Sequence, residues 1–314
     1  MSSRVLAHCL APFQGFLAQE NTTDIVVNRP GEIGVKAGGT WSWHDETFLT
    51  YDRLDAIAIL CAYHTGQDID EVHPLCATTL PTGERLQICR FPVTAPGVIS
   101  LSIRRPPSFR PTLETSLFER APPPEALVSI AGDDADLLQK AALNRKNIII
   151  SGPVGTRKTT VTKAIIEAIP LHERLITIED TPEWNTIPHR NWASLRYSKG
   201  AQSAAKIGSE ELIEASLRMI PDRILIQELR DGAAYAYMRA ILPHPGGITS
   251  VHARSPSAAK DALRLMIRQH PTGATMDDED IRTQLEEQID LIVQMHPEQR
   301  GDTYRISDIY VRPE

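Results

Sequence analysis

From residue 147 onward the apolar positions of this 314-residue chain keep two rhythms in alternation: short continuous runs, and stretches where apolar residues return every third or fourth position. A short run bounded by turn signals reads as a buried strand, and the wider spacing as a helix. Residues 147–151 predict a strand, residues 159–169 a helix with Val161, Ile165 and Ala168 on one face, and residues 175–179 a second strand. Ser209 is placed to cap a further helix whose first turn carries Glu210 and Glu211, with Ile213, Leu217 and Ile220 as its apolar stripe. Strands follow over 223–226 and 248–251, and residues 289–295 and 304–311 flank Gly301-Asp302 as a terminal hairpin. Strands alternating with helices argue for an α/β fold, a mostly parallel sheet covered on both faces, with ligand at the carboxyl ends of its strands.

Ahead of this region the pattern is different. Residues 24–28 and 98–104 read as strands and residues 51–64 as a helix, which makes a mixed α+β domain. Between them and the α/β part, Pro106, Pro107, Pro111, Pro122, Pro123 and Pro124 crowd a stretch where regular structure is hard to sustain. The linker is expected at 112–125, leaving 1–111 as an N-terminal domain and 126–314 as the larger one. Apolar content of 41% over this length is enough for two cores. The four cysteines, Cys9, Cys61, Cys76 and Cys89, form no C-x-x-C pair and have no histidine at zinc-finger spacing, so reduced, buried thiols are expected.

Charge narrows the functional classes. A net charge of −7 offers no global field for nucleic acid or anionic lipid, so stable sequence-specific nucleic-acid binding is not expected. The longest apolar run, residues 56–63, is far short of the roughly 18 residues that suggest a membrane span, and no signal-peptide core precedes it. A cytoplasmic protein is the expectation.

Candidate chemistry begins at Gly152-Pro-Val-Gly-Thr-Arg-Lys-Thr-Thr160, between a predicted strand and a predicted helix. Gly152, Lys158 and Thr159 stand where the pattern G-x-x-x-x-G-K-[ST] puts them; Arg157 takes the place of its second glycine. In such a loop the backbone N–H groups of Gly152, Pro153, Val154, Gly155, Thr156, Arg157 and Thr160 and their neighbours, proline excepted, would surround phosphate at a helix N-terminus. Lys158 would reach the outer phosphates and the Thr159 hydroxyl would ligate Mg²⁺. Arg157 admits two readings: its Cβ distorts a turn that glycine would make freely, or its guanidinium adds a phosphate contact. Next, 176–183 ends a strand with Glu179, Asp180 and Glu183, which suits water activation or Mg²⁺ contacts through water; a solvated acidic loop is the plainer alternative. The apolar run 223–226 delivers Glu228 to the same sheet edge, the geometry of a Walker B carboxylate. In 243–253, His244 precedes a turn and His252 ends a strand, where an imidazole could sense a γ-phosphate, although lone histidines are more often packed or surface residues.

These blocks, in this order, resemble the traffic ATPases of type IV secretion systems, within the superfamily that includes type II secretion and pilus motors. In the N-terminal half the resemblance rests on segments 28–32, 74–88 and 100–106, and later on the P-loop, the acidic box 175–183, the segment 217–223 leading to Glu228, and the histidine box. It implies a RecA-like P-loop NTPase domain behind the α+β domain, ATP and Mg²⁺ as cofactors, and a homohexameric ring. It also implies peripheral attachment at the inner membrane beside the inner-membrane and cytoplasmic components of a type IV secretion system. By motif match Lys158 and Thr159 take phosphate and Mg²⁺, Glu228 the Walker B role, Glu179 and Glu183 the acidic-box role, and Arg85 and Arg104 reach the nucleotide from the N-terminal domain. The chain departs from the family pattern at Arg157 and Gln227, which replace glycines, at Pro243, which replaces a glycine, and at Ile220, which replaces an arginine. Two functions follow: an ATP-hydrolysing motor for type IV secretion or conjugative transfer, or a degenerate member forming a nucleotide-dependent ring with little turnover. A RecA-like nucleic-acid translocase fits the core but not the acidic balance.

Overall fold

The computed structural model describes residues 2–19, 21–106, 134–184, 187–197, 205–296 and 305–313. Two compact units emerge: residues 1–124 with 198–207 and 217–220, and residues 125–197 with 208–216 and 221–314. The expected linker at 112–125 and the hairpin turn at Gly301-Asp302 lie outside the described residues.

In the first unit, helices α1 (Ser2–Cys9) and α2 (Ala11–Leu17) precede strands β1 (Thr22–Val27), β2 (Glu32–Ala37) and β3 (Thr40–Asp45). Helix α3 (Tyr51–His64) and strands β4 (Leu75–Thr79), β5 (Arg85–Cys89) and β6 (Ser100–Arg104) complete it. The antiparallel sheet runs β3-β2-β1-β6-β5-β4. Alternate residues Ile25 and Val27, Ile33 and Val35, Leu86 and Ile88, Leu101 and Ile103 enter one core, because successive strand side chains leave opposite faces. Helix α3 meets them with Leu54, Ile57, Ala58, Cys61 and Ala62, all buried, and its N-cap Thr50 accepts the Arg53 N–H. All four cysteines are free thiols; burial pushes the Cys61 thiol up to about 12, so it stays protonated and inert.

The second unit alternates helix and strand as α4 (Asp134–Leu143), β7 (Ile148–Ser151), α5 (Lys158–Glu167), β8 (Leu175–Glu179), β9 (Trp192–Arg196) and α6 (Ser209–Ser216). It continues with β10 (Arg223–Ile226), α7 (Ala233–Ile241), β11 (Ile248–Val251), α8 (Pro256–Ile267), α9 (Asp278–Gln288), β12 (Leu291–Met295) and β13 (Ile306–Val311). The seven-stranded sheet has the order β13-β12-β7-β11-β10-β8-β9, parallel throughout except for the β12/β13 hairpin. Strands β7, β10 and β11 are buried at every position, as central parallel strands covered on both faces must be. Because β7, β11, β10 and β8 are consecutive neighbours, the loops that leave their carboxyl ends lie side by side along one edge. The other edge is braced by a buried ion pair in which Arg223 donates from Nε and Nη2 to Glu173 at 2.6 and 3.0 Å.

One expected helix is shorter than its stripe. Helix α6 ends at Ser216 and buries Leu212, Ile213, Ala215 and Ser216, leaving Leu217 39% exposed and Ile220 beyond the helix at φ +61°. Pro221 supplies the reason, since proline cannot continue a helix and disfavours helical geometry in its predecessor. Ser209 opens the helix, but the Gly208 N–H goes to the Glu211 carboxylate, so Glu211 does the capping there. Strand β9 escaped the periodicity because only Ala193 and Leu195 face inward on this edge strand.

Candidate nucleotide site

The loop between β7 and α5 is shaped by three backbone positions. A Cβ on Gly152 would sit 2.7 Å from Thr156 Oγ1 and 2.9 Å from Met295 Cβ, so no larger residue fits. Gly155 takes φ +81°, and Arg157 takes the left-handed conformation at φ +56°, ψ +40°, directly ahead of Lys158 at the start of α5. The arginine thus follows the turn a glycine would make, at the cost of a Cβ in a region L-residues disfavour. Inside the loop Thr156 Oγ1 donates to the Pro153 carbonyl at 2.8 Å, while the Thr160 N–H donates to the Arg157 carbonyl at 3.0 Å. Val154, 84% exposed, stands at the outer tip. Thr159 is half-buried in the first turn of α5.

Lys158 is buried and turned back over its own loop. Its Nζ lies 2.9 Å from the Gly152 carbonyl, 3.1 Å from the Pro153 carbonyl and 3.1 Å from His252 Nδ1. An ammonium has three protons, and three acceptors meet them. Burial holds the Lys158 amine below its usual range, against the opposing pull of the Glu228 carboxylate. His252, the first residue after β11, bridges onward, with Nε2 3.1 Å from Glu228 Oε1. Where Nδ1 accepts from Lys158, the ring proton of a neutral imidazole lies on Nε2 and points at Glu228; Nδ1 also lies 3.3 Å from the Gly152 carbonyl.

Glu228 follows β10 by two residues and is held by Arg230, whose Nε donates to Oε1 at 2.8 Å and Nη2 to Oε2 at 2.6 Å. Arg230 Nη1 also approaches Asp180 Oδ2 at 3.5 Å. Burial raises the Glu228 carboxyl above the usual range; His252 and Lys158 pull it back down, and Asp180 pushes it further up. Gln227 joins the same pair of loops, because its Oε1 accepts the N–H groups of Asp180 and Thr181 at 3.2 and 3.4 Å. A glycine at 227 would leave those N–H groups without that acceptor.

The acidic box is divided. Glu179 is buried, and its Oε1 accepts the N–H groups of Glu183 and Trp184, both at 2.9 Å, so this carboxylate builds the turn that follows β8. Burial raises its carboxyl above the usual range, with those two N–H bonds opposing. Its Oε2 is buried without a hydrogen bond among the described residues. Glu183 contributes its N–H to the turn while its side chain is exposed. Lys158, His252 and Glu228 are therefore the expected site residues that meet from three different strand ends; Arg85 and Arg104 belong to the other unit, where they oppose each other across β5 and β6. Sequence reasoning missed Arg230, and named Gln227 only as a departure from the family pattern, without its role as a tie between loops. The signal for the first was present, a Glu-x-Arg step in the loop that leaves a buried strand.

The profile of the Type II/IV secretion system protein family matches residues 125–296. Protein VirB11 of Agrobacterium fabrum is 38% identical over 320 residues, covering 96% of this chain and 92% of the relative. The chain belongs to the VirB11 family of type IV secretion ATPases. The type IV secretion system protein VirB11 of Bartonella henselae is likewise 37% identical, across 97% of this chain and 92% of its own length. Among solved structures, the VirB11 ATPase from the Brucella suis type IV secretion system, crystallised with sulphate, superposes with a TM-score of 0.91 at 32% identity. That match covers 99% of this chain and 95% of the Brucella chain. A nucleotide-binding component of a type IV secretion system is therefore the identity within which the site is read. No helix of the described residues in this secretion ATPase is long and apolar enough to cross a membrane.

Within a VirB11-family ATPase the departures at Arg157 and Gln227 take on a physical meaning. The first follows a glycine's backbone path, and the second replaces missing bulk with a loop-to-loop tie. Neither separates Lys158 from His252 and Glu228, and no observation favours a ring without turnover.

Proposed function

We propose that the chain binds MgATP at the β7–α5 loop and hydrolyses it as a homohexameric motor for type IV secretion or conjugative transfer. In this reading the ring is attached peripherally at the cytoplasmic face of the inner membrane, through inner-membrane and cytoplasmic components of the apparatus. The observation that carries the proposal is the contact chain Lys158–His252–Glu228, which links the carboxyl ends of the neighbouring strands β7, β11 and β10.

The donor set suits the cofactors. Thr159 and Glu228 offer oxygen ligands, and among the described residues no cluster of three His, Cys, Asp or Glu side chains competes as a dedicated metal cage. That fits Mg²⁺, which is held by one or two protein oxygens together with phosphate oxygens and water. With both Glu228 oxygens on Arg230, contact to the metal through water is the natural role for this carboxylate. When bound, Mg²⁺ would screen the charge on the outer phosphates. Lys158 must exchange its loop carbonyls and His252 for phosphate oxygens, which transfers the arrival of phosphate to His252. His252 is then free to turn its Nδ1 side, while its Nε2–H keeps hold of Glu228, the group placed to take a proton from the attacking water. Arg85 and Arg104 would bring positive charge toward the phosphoryl group as it transfers.

Phosphate release by the purified full-length protein is the test. Mg²⁺-dependent release that falls by a factor of roughly 100 or more in Lys158→Ala is expected, in line with losses seen when preorganised charge is removed from a reacting centre. Absence of Mg²⁺-dependent release from the natural protein would sink the proposal.

A further inference from the structure

Strands β12 and β11 flank β7, the strand that leads into the phosphate loop, on opposite sides. Register sets Gln294, Ser151 and Val251 in one row across β12, β7 and β11, with their side chains on one face of the sheet. At the end of β12, Met295 backs the phosphate loop, since its Cβ is what a Cβ on Gly152 would meet at 2.9 Å. Gln294 reaches further, across β7. Its Nε2 donates at 3.3 Å to the carbonyl of Ala253, the residue after His252, and at 3.3 Å to the carbonyl of Met295. Carbonyl oxygens only accept, so the amide must turn its nitrogen toward them.

An amide is an expensive choice at this place. The other residues of β12 are Leu291, Ile292, Val293 and Met295, and the whole strand is buried. Among the described residues, Gln294 Oε1 and the Oγ of its row neighbour Ser151 are buried without a hydrogen bond. A methionine of similar volume would avoid that orphaned oxygen, so the amide calls for a reason other than stability. The backbone marks the same point. The register of β12 with β13 shifts between Gln294 and Met295, passing over Ser307, whose Oγ donates to the Gln294 carbonyl at 3.2 Å. A bulge of this kind beside a site re-aims a side chain, and here the side chain is Gln294.

The imidazole of His252 has to keep Nδ1 toward Lys158 and the Gly152 carbonyl while Nε2 faces Glu228. Holding the Ala253 carbonyl fixes the backbone from which that ring projects. We propose that Gln294 is a positioning residue for ATP hydrolysis: it ties the His252 backbone to β12, so that the imidazole keeps its place beside Glu228 when phosphate draws Lys158 away. This rests on the reading of His252 as the group that passes the arrival of phosphate to Glu228, and it adds the fourth strand end of the site.

The experiment uses the full-length chain and the variants Gln294→Met, Gln294→Leu, His252→Ala and Gln294→Met with His252→Ala. MgATP turnover is measured for each, and amide exchange by mass spectrometry without nucleotide. Gln294→Met keeps the volume and sheds the orphaned oxygen, so its Tm should stay within about 5 °C of the natural protein. Its kcat should nevertheless fall about tenfold or more with KM for ATP changed less than about threefold, because the reacting groups are displaced while the phosphate loop is left alone. Exchange should quicken in the loop that follows β11 and hold steady in β7. On a His252→Ala background the same substitution should change the residual kcat less than about twofold, as expected of a residue that acts through His252. Gln294→Leu should repeat the loss of kcat. Natural turnover and exchange in both Gln294 variants, with a loss in His252→Ala, overturns the role of Gln294 alone. An equal loss of kcat with and without His252, or a fall in Tm with faster exchange throughout the C-terminal unit, marks a merely structural glutamine and overturns it too. Full turnover in His252→Ala removes the reading of His252 and this proposal with it.

Discussion

Arg157 is the sharpest place to test the physical reading of the phosphate loop. It sits at φ +56°, ψ +40°, where a residue with a Cβ is roughly 1–2 kcal/mol worse off than in a right-handed conformation. Glycine escapes that cost but loses about 0.5–1 kcal/mol more backbone entropy on folding. The balance makes Arg157→Gly stabilising by up to about 1.5 kcal/mol, whereas Arg157→Ala keeps the strain and only removes the guanidinium. For a domain of this size each kcal/mol is a rise in Tm of about 2–4 °C for glycine relative to alanine. Calorimetry or urea melts of the two variants measure it, and phosphate release measured on the same samples adds the functional half. Because the arginine already follows the backbone path of a glycine, turnover in Arg157→Gly should stay within tenfold of the natural protein. A glycine variant no more stable than the alanine one would refute the strain argument. A hundredfold gain in turnover would show instead that arginine deforms the site.

Glu179→Gln tests the buried carboxyl of the acidic box. Its native pKa is raised by burial, so its contribution to stability is present at acid pH and is lost as pH rises through that native value. Glutamine mimics the protonated form and can still accept both turn N–H bonds; its stability advantage over the natural protein should open as pH climbs from about 4.5 and stop growing once pH has passed the raised native value. Melts at pH 4 and pH 8 decide, and equal differences at both would discard the idea. Arg230→Gln removes two bonds to the Glu228 carboxylate and should shift the acidic limb of the kcat profile to higher pH, because a charge that held the carboxylate ionised is gone. A uniformly scaled profile with an unmoved limb would speak for a merely structural arginine. Gln227→Gly releases the Asp180 and Thr181 N–H groups and adds chain entropy; a loss of about 1–3 kcal/mol in urea melts is expected, and a neutral result would show that water replaces the amide.

Much of the C-terminal fold could be read because its strands are short, fully buried runs. Arg223–Ile226, Ile248–Val251 and Leu175–Glu179 carry their own pattern, and helix α5 is legible from its spacing, whereas α4, α7, α8 and α9 were not among the expected elements. Helix α3 was equally plain, with Thr50 capping it and a buried face at helical intervals. The half-buried strands β3, β4 and β9 were not, since one or two inward residues make no periodicity. The α6 stripe overran for a related reason: spacing registers Leu217 and Ile220, but Pro221 stops the helix first.

The sequence by itself determined which residue types are available for phosphate chemistry and in what order: a lysine and threonine at a helix start, a glutamate after one buried strand, a histidine after another. Tertiary structure decided which of them meet. Strand order β7-β11-β10-β8 sets residues 94 and 24 positions apart in the chain, Lys158 to His252 to Glu228, within hydrogen-bond reach, and hydrogen bonds between parallel strands leave no trace in linear spacing. Only that arrangement revealed Arg230 as the partner of Glu228, Gln227 as a tie between loops, and Glu179 as the builder of its own turn. The conformation of Arg157 was also a tertiary matter, because a side chain's identity states the cost of a left-handed turn but not whether the surrounding fold imposes it.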